Sequence, residues 1–203
     1  LFSLFLVELD RRSYGSYILN NSDSSIEIIE SVSPSKKFTI ISHGFAGSKE
    51  MMRQLAYDIA NAGSNAVLFD FIGHGSNQYK LLNRPAEITG TTQQLVVQLS
   101  DIVDFIYEKF GNEISIFLVG HSMASDIVIR ASDDKRIKSV IAVSPYSTGI
   151  TQNFPKDLLL ISGQFENHLR SHALQMVKNI EPAAKENMEY TKEKIRRKAS
   201  YIE

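Results

Sequence analysis

The stretch ISIFLVGHSMASDIVIR, residues 114–130, joins a short apolar run to a helical-looking segment through one tight turn. Residues 114–120 are apolar almost without interruption, which is typical of a strand buried on both faces in a parallel sheet. A helix is expected to start at Ser122, because serine is a favoured residue at the beginning of a helix. The stretch therefore predicts a buried strand that leads directly into a helix.

The same kind of apolar, β-branched run occurs four more times, and each run is bounded by turn residues. The four runs are FTIISHG (38–44), AVLFDF (66–71), IKSVIAVSP (137–145) and DLLLISG (157–163). Continuous apolar character of this kind predicts that all of them are strands of one parallel sheet, covered on both faces.

Helices are predicted between these strands. In SKEMMRQLAYDIANAG, residues 48–63, Ser48 can cap a helix and Gly63 can end it. Its apolar stripe consists of Met52, Leu55, Ala56, Ile59 and Ala60. A second helix is predicted over residues 92–110, with Gly111 behind it. Its apolar face consists of Leu95, Leu99, Ile102, Val103, Ile106 and Phe110.

Alternating strands and helices of this kind predict a three-layer α/β sandwich with a mostly parallel sheet and right-handed crossovers. Before them, YILNNSDSSIEII (17–29) has turn residues between two strand-like runs, which predicts an antiparallel hairpin. We expect a single domain over residues 1–203, with the hairpin region in residues 1–35, the core in residues 36–180 and a polar tail in residues 181–203.

Composition limits the partners that this chain can have. The 203 residues carry a formal net charge of -1 and no cysteine. No overall field would attract nucleic acid, and disulfides and thiolate nucleophiles are excluded. The opening LFSLFLVELDRR (1–12) is shorter than the roughly 20 apolar residues that span a bilayer, so a buried strand and the end of a membrane anchor both explain it. Membrane association and the compartment stay open.

The turn inside the first stretch has the features of a nucleophile elbow. Gly120 and Ala124, two residues before and after Ser122, are small enough for a sharp turn that exposes the serine hydroxyl at the carboxyl edge of the sheet. The Met123 N–H then belongs to the first turn of the helix and can stabilise an oxyanion. By itself the pattern is also compatible with an ordinary helix cap at Ser122.

Two other strands end in turns that support the catalytic interpretation. After His43, Gly44 lets the backbone turn inward, so that the Phe45 N–H can point to the same oxyanion as the Met123 N–H. The next strand ends in DFIGHG (70–75), and residues 73–92 after it are long enough to form a loop over the site.

The HG turn, the DFIGHG stretch and the GHSMA elbow, in this order, resemble the α/β-hydrolase superfamily over residues 36–166. Ile72 stands where the family usually has arginine, so an ionic anchor for that loop is not expected. The resemblance also implies that Glu166, three residues after Gly163, is the acid of a catalytic triad. Its carboxylate would hold an imidazole in the correct tautomer.

The same resemblance places the catalytic histidine after the acid, beyond a further strand. His168 and His172 are too close to Glu166 for this role and are expected on a helix face. His43 and His74 are expected as turn residues, and His121 is expected to point away from the site. We therefore expect the histidine, and the last strand or strands, in sequence that follows Glu203, and little or no activity from residues 1–203 alone.

The sequence thus predicts a serine hydrolase that cleaves an ester or related acyl bond of a small molecule, with no metal or organic cofactor. Two alternatives remain open at this stage. The chain can be a non-catalytic member of the fold that serves as a binding or membrane-associated module, or an acyltransferase that uses the same residues.

Overall fold

A computed structural model describes residues 14–21, 24–81, 88–146, 155, 157–163 and 165–178, and only the backbone for residues 21 and 88–91. Predictions about residues 1–13, 82–87 and 179–203, including the polar tail and the middle of the covering loop, lie outside this part. No helix within the described ranges is long and apolar enough to cross a membrane.

Seven strands form one sheet in the order β1-β2-β4-β3-β5-β6-β7. Neighbouring strands from β4 to β7 run parallel to one another, whereas β2 is antiparallel to both β1 and β4. The strands are β1 (Ser16–Asn21), β2 (Ser24–Ile29), β3 (Lys37–Ser42), β4 (Asn65–Leu68), β5 (Ser115–His121), β6 (Ile137–Val143) and β7 (Leu158–Ile161). The mostly parallel sheet and the antiparallel hairpin are confirmed.

Helices cover both faces of the sheet, as the alternating pattern predicts. They are α1 (Arg53–Asn61), α2 (Ile88–Phe110), α3 (Met123–Ala131) and α4 (residues 167–178). One apolar cluster joins α2, α3 and Met176 of α4 to one face of the sheet. A second cluster joins α1 to the other face through Ala56, Tyr57 and Ala60. The three-layer arrangement follows from these two clusters.

The start of the first helix differs from the prediction. Ser48 is extended and makes no side-chain cap, and a 3-10 turn (Lys49–Met52) precedes α1. The helix start differs because the Lys49 N–H donates to Asp70 Oδ1, an acceptor distant in sequence, at 2.7 Å. A carboxylate from the β4 loop thus replaces the hydroxyl that the local sequence offers.

Several element boundaries also differ. Helix α2 begins at Ile88 rather than at residue 92, before its apolar repeat starts. Strand β4 ends at Leu68, although buried Phe69 and Phe71 continue the apolar run. The expectation of full burial holds for β3 and β4, whereas β7 is the last strand of the described sheet and Ile161 is 46% exposed.

Candidate active site

Ser122 lies at the turn between β5 and α3 in a strained conformation. Its φ is 53° and its ψ is -115°, which a residue with a Cβ rarely adopts. The Ser122 N–H donates to Val143 O at 2.9 Å, so the end of β6 holds the turn. A strained strand-to-helix turn that carries a serine is the geometry of a nucleophile elbow.

Gly120 is required by this turn for steric reasons. A Cβ at Gly120 would lie 2.3 Å from Ala124 O and 2.8 Å from Val128 Cγ2, which is closer than any real contact. The spacing of small residues in the sequence therefore predicts the geometry correctly at Gly120. Met123 follows as the first residue of α3, where an N–H group has no intrahelical acceptor.

Ser125 connects the elbow to the loop after β6. Its Oγ donates to Ser122 O at 2.6 Å and accepts from the Tyr146 N–H at 3.0 Å. The side chain is fully buried. The position of the candidate nucleophile is thus tied to the segment that follows β6.

Gly44 packs directly against the elbow. A Cβ at Gly44 would lie 3.2 Å from Ser122 Cβ and 3.1 Å from His121 Nδ1. Gly44 is not among the residues with positive φ, so it is needed for this close approach rather than for the backbone freedom expected from the sequence. Gly44 therefore lies beside the elbow, and Phe45 is the next residue along the chain.

Asp70 anchors the loop that carries Gly44. Its buried carboxylate accepts from the Lys49 N–H at 2.7 Å, and from the N–H and hydroxyl of Ser76 at 3.0 and 2.8 Å. Burial would raise the pKa of Asp70, but these bonds and the charge of Lys49 hold it below its usual value. The loops after β3 and β4 therefore share one anionic anchor.

The loop after β4 has a neutral anchor where the superfamily usually has an arginine. The Ile72 N–H donates to Gln98 Oε1 at 2.9 Å, and Gln98 Nε2 donates to Ser24 Oγ at 2.9 Å and to Asp70 O at 3.2 Å. Gln98 is 4% exposed. One buried amide of α2 thus replaces the missing ionic contact, and no local sequence pattern marks it.

Glu166 lies in the turn between β7 and α4, where the resemblance places the acid. Its two carboxylate oxygens each lie 2.9 Å from Ser144 Oγ, and Oε2 accepts from the Gly163 N–H at 2.8 Å. The Gly163 N–H, then the Ser144 hydroxyl and the charge of His121, hold the pKa of Glu166 below its usual range. Ser144 reaches the carboxylate with a positive φ of 48°.

The histidines lie in three places. His43 is buried below the Gly44 loop, and the His74 Nδ1–H lies 3.0 Å from Ile72 O. His168 and His172 lie on α4, as expected, with their rings 4.5 Å apart. His121 lies closer to the site than expected, because its ring packs at Gly44.

No hydrogen bond among the described residues identifies a catalytic base for Ser122. Within the described ranges, which include all five histidines, no hydrogen bond joins an imidazole to the Ser122 hydroxyl. No group of three or more potential ligands in the same ranges is arranged to hold a metal ion. A cleft of about 470 Å³ lies between Ser24, Ile72 and α2, and none of the candidate catalytic residues lines it.

The sheet order, the antiparallel hairpin and the serine turn after β5 define an α/β-hydrolase fold. The sequence profile of the family described as serine aminopeptidase, S33, matches residues 33–200. The chain belongs to this family, which confirms the resemblance inferred from the motifs. No curated protein matches the chain in sequence.

Solved structures show the same fold. An esterase of Pyrococcus furiosus is 24% identical with a TM-score of 0.52, over 65% of this chain and 52% of the esterase. Dienelactone hydrolase from Anabaena variabilis is 14% identical with a TM-score of 0.67, over 83% of this chain and 82% of that enzyme. A carboxyl esterase from Bacillus coagulans is 15% identical with a TM-score of 0.51, over 82% of this chain and 50% of the esterase. The chain thus spans about half the length of the two esterases.

Proposed function

We propose that the protein is a serine hydrolase that cleaves an ester or related acyl bond of a small-molecule substrate. The observation that carries this proposal is the strained Ser122 turn, with Gly44 so close to it that a Cβ on Gly44 would lie 3.2 Å from Ser122 Cβ. Backbone strain of this kind costs roughly 1–3 kcal/mol and is typical of functional positions. An ordinary helix cap requires no such strain.

In the proposed reaction Ser122 Oγ attacks the substrate carbonyl carbon, and its proton passes to a histidine. The carbonyl oxygen becomes an oxyanion that accepts hydrogen bonds from the Phe45 and Met123 N–H groups. The imidazolium is stabilised by Glu166 and returns the proton to the leaving group as the tetrahedral intermediate collapses. Water then attacks the acyl-enzyme by the same route and releases the acid.

We place the histidine of this Ser-His-Glu triad in sequence that follows Glu203. The support is that both nitrogens of His43 are already engaged, that His74 bonds to its own loop, and that His121 makes no hydrogen bond to the Ser122 hydroxyl. His168 and His172 share α4 with the residues directly after Glu166. Without the base, residues 1–203 would keep only the acceleration that the oxyanion hole and substrate binding provide, on the order of 10³-fold over water.

Fluorophosphonate labelling of a chain extended past Glu203 tests the proposal, because the probe reacts with an activated serine. Wild-type protein should be labelled, Ser122→Ala should not, and Ser132→Ala at the other end of α3 should be labelled like wild type. Residues 1–203 alone should react far more slowly. A folded extended chain that is not labelled would refute the mechanism and favour a non-catalytic binding module.

A further inference from the structure

His43 is buried at the base of the loop that carries Phe45, and the catalytic mechanism above does not use it. It is 1% exposed and lies at the end of β3. Its ring packs on Phe71 at 5.2 Å and on His74 at 5.4 Å, and its Nε2 is 3.9 Å from Asp70 Oδ1. These neighbours hold the buried imidazole of His43 in one orientation.

The partners of the two ring nitrogens fix the tautomer of His43. The Phe71 N–H donates to Nε2 at 3.1 Å, so Nε2 carries no proton. Nδ1 lies 2.8 Å from Gly44 O, which can only accept, so Nδ1 is the donor. Burial, the largest effect, lowers the pKa of His43, and His74 lowers it further, while Gly44 and Asp70 oppose them. The ring is thus neutral with its proton on Nδ1.

The Gly44 carbonyl that His43 holds belongs to the same peptide unit as the Phe45 N–H. None of the described peptide bonds is cis, so this C=O and this N–H point in opposite directions in one plane. When the carbonyl is held toward His43, the Phe45 N–H is turned outward from the ring. The Gly47 N–H donates to the same carbonyl at 3.1 Å and fixes the plane a second time.

We propose that His43 is a positioning residue for the oxyanion hole: its Nδ1–H holds the Gly44 carbonyl and thereby aims the Phe45 N–H at the substrate oxygen. This inference rests on the proposed serine hydrolase function. His43 touches neither the substrate nor Ser122, and it acts through one peptide unit. The sequence predicts that His43 lies in a turn, but it does not predict this role.

Two amide variants separate the two hydrogen bonds of the ring. In His43→Asn the side-chain amide N–H replaces Nδ1–H and can still donate to Gly44 O, but the acceptor for the Phe71 N–H is lost. In His43→Gln the amide oxygen can accept from the Phe71 N–H, but the donor to Gly44 O is lost. Both variants lose the ring, so their packing defects are similar.

Steady-state kinetics on the extended chain should distinguish these variants. We expect His43→Gln to lower kcat by about 10- to 100-fold, approaching the loss of one oxyanion donor, with KM within about twofold of wild type. His43→Asn should keep kcat within about fivefold of wild type, the equivalent of one ordinary hydrogen bond. Thermal melting of both variants checks that they fold.

Gly47→Ala provides a second perturbation that leaves the ring intact. A Cβ at Gly47 would lie 3.0 Å from Gly44 O and 3.3 Å from His43 Nδ1, so the carbonyl must shift. We expect a lower kcat with little change in KM and in the melting temperature. This variant keeps the inference testable if both His43 variants unfold.

The failure of this inference can be distinguished from the failure of the proposed function. If wild type shows no serine-dependent activity, the proposed function is refuted. If wild type is active, the kcat values of the two variants decide the role of His43, and NMR of the ring nitrogens and the Phe45 amide checks the orientation of the peptide. A proton on Nδ1, with a Phe45 amide that shifts in His43→Gln but not in His43→Asn, supports it. Equal kcat losses in the two variants, or a proton on Nε2, would overturn it.

Discussion

Replacing Gly120 by alanine tests the steric basis of the elbow without any assay of activity. The new Cβ would lie 2.3 Å from Ala124 O and 2.6 Å from Ala124 C, whereas ordinary van der Waals contact begins at 3.4 Å. Both atoms belong to the backbone of α3, which cannot rotate away as a side-chain end can. The first turn of the helix or the end of β5 must therefore move by about 1 Å.

The cost of that movement can be estimated. Overpacking of a well-packed interior costs about 1–3 kcal/mol, and contacts with both the Ala124 backbone and the Val128 side chain place Gly120→Ala near the upper end. Each kcal/mol lowers the melting temperature of a domain of 150–250 residues by about 2–4 °C. We therefore expect Gly120→Ala to melt roughly 6–12 °C below wild type.

Gly63→Ala is the matched control, measured by the same thermal melt followed by circular dichroism. Gly63 has a φ of +88°, and a Cβ there would meet nothing within 4 Å. Its left-handed strain of about 1 kcal/mol is offset by about 0.4–1 kcal/mol from reduced freedom of the unfolded chain, so a shift under about 4 °C is expected. Equal melting temperatures for the two variants would show that the close approach at the elbow does not exist.

Two further substitutions test the polar contacts around the site. Ser144→Gly keeps the left-handed backbone but removes the hydroxyl at Glu166, so the pKa of Glu166, followed by NMR titration of its carboxylate, should rise. The loss of this hydrogen bond should lower kcat by roughly fivefold or less. Asp70→Asn removes the anion that accepts from the N–H groups of Lys49 and Ser76. It should lower the free energy of unfolding, measured with urea at pH 7, by about 1–3 kcal/mol. Because the folded-state pKa of Asp70 is lowered, this difference should shrink as the pH falls below 3.8, and a difference that persists there would contradict the anchoring role.

The parts of the fold that the sequence predicts are those set by local periodicity. Apolar runs give the parallel strands, turn residues give the hairpin, and the small residues Gly120 and Ala124 give the elbow. Each of these signals lies within about ten residues. The predicted start of α1 was wrong because it depends on a residue that is distant in sequence. Asp70, 21 residues away, accepts from the Lys49 N–H in place of the adjacent Ser48.

The contacts that hold the candidate site together are remote in sequence and could not be predicted in this way. His43 and Phe71 are separated by 28 residues, Ser144 and Glu166 by 22, and Gln98 and Ser24 by 74. A histidine, a serine and a glutamine have many possible partners, and only the register of the sheet selects one. Sequence patterns therefore predict the turns that carry the candidate groups, but not the residues that aim them.

The order of the strands gives a physical reason for placing an imidazole between the two candidate catalytic side chains. Ser122 follows β5 and Glu166 follows β7, with β6 between them. Strands are about 4.8 Å apart, so the two residues start roughly 9.5 Å apart at the edge of the sheet. An imidazole with a hydrogen bond of about 2.8 Å on each side spans roughly 8 Å, which fits this gap after small side-chain adjustments. Ser144, which follows β6, donates its hydroxyl proton to Glu166. The spacing of the strands is therefore compatible with an imidazole between Ser122 and Glu166, as the proposed Ser-His-Glu triad requires.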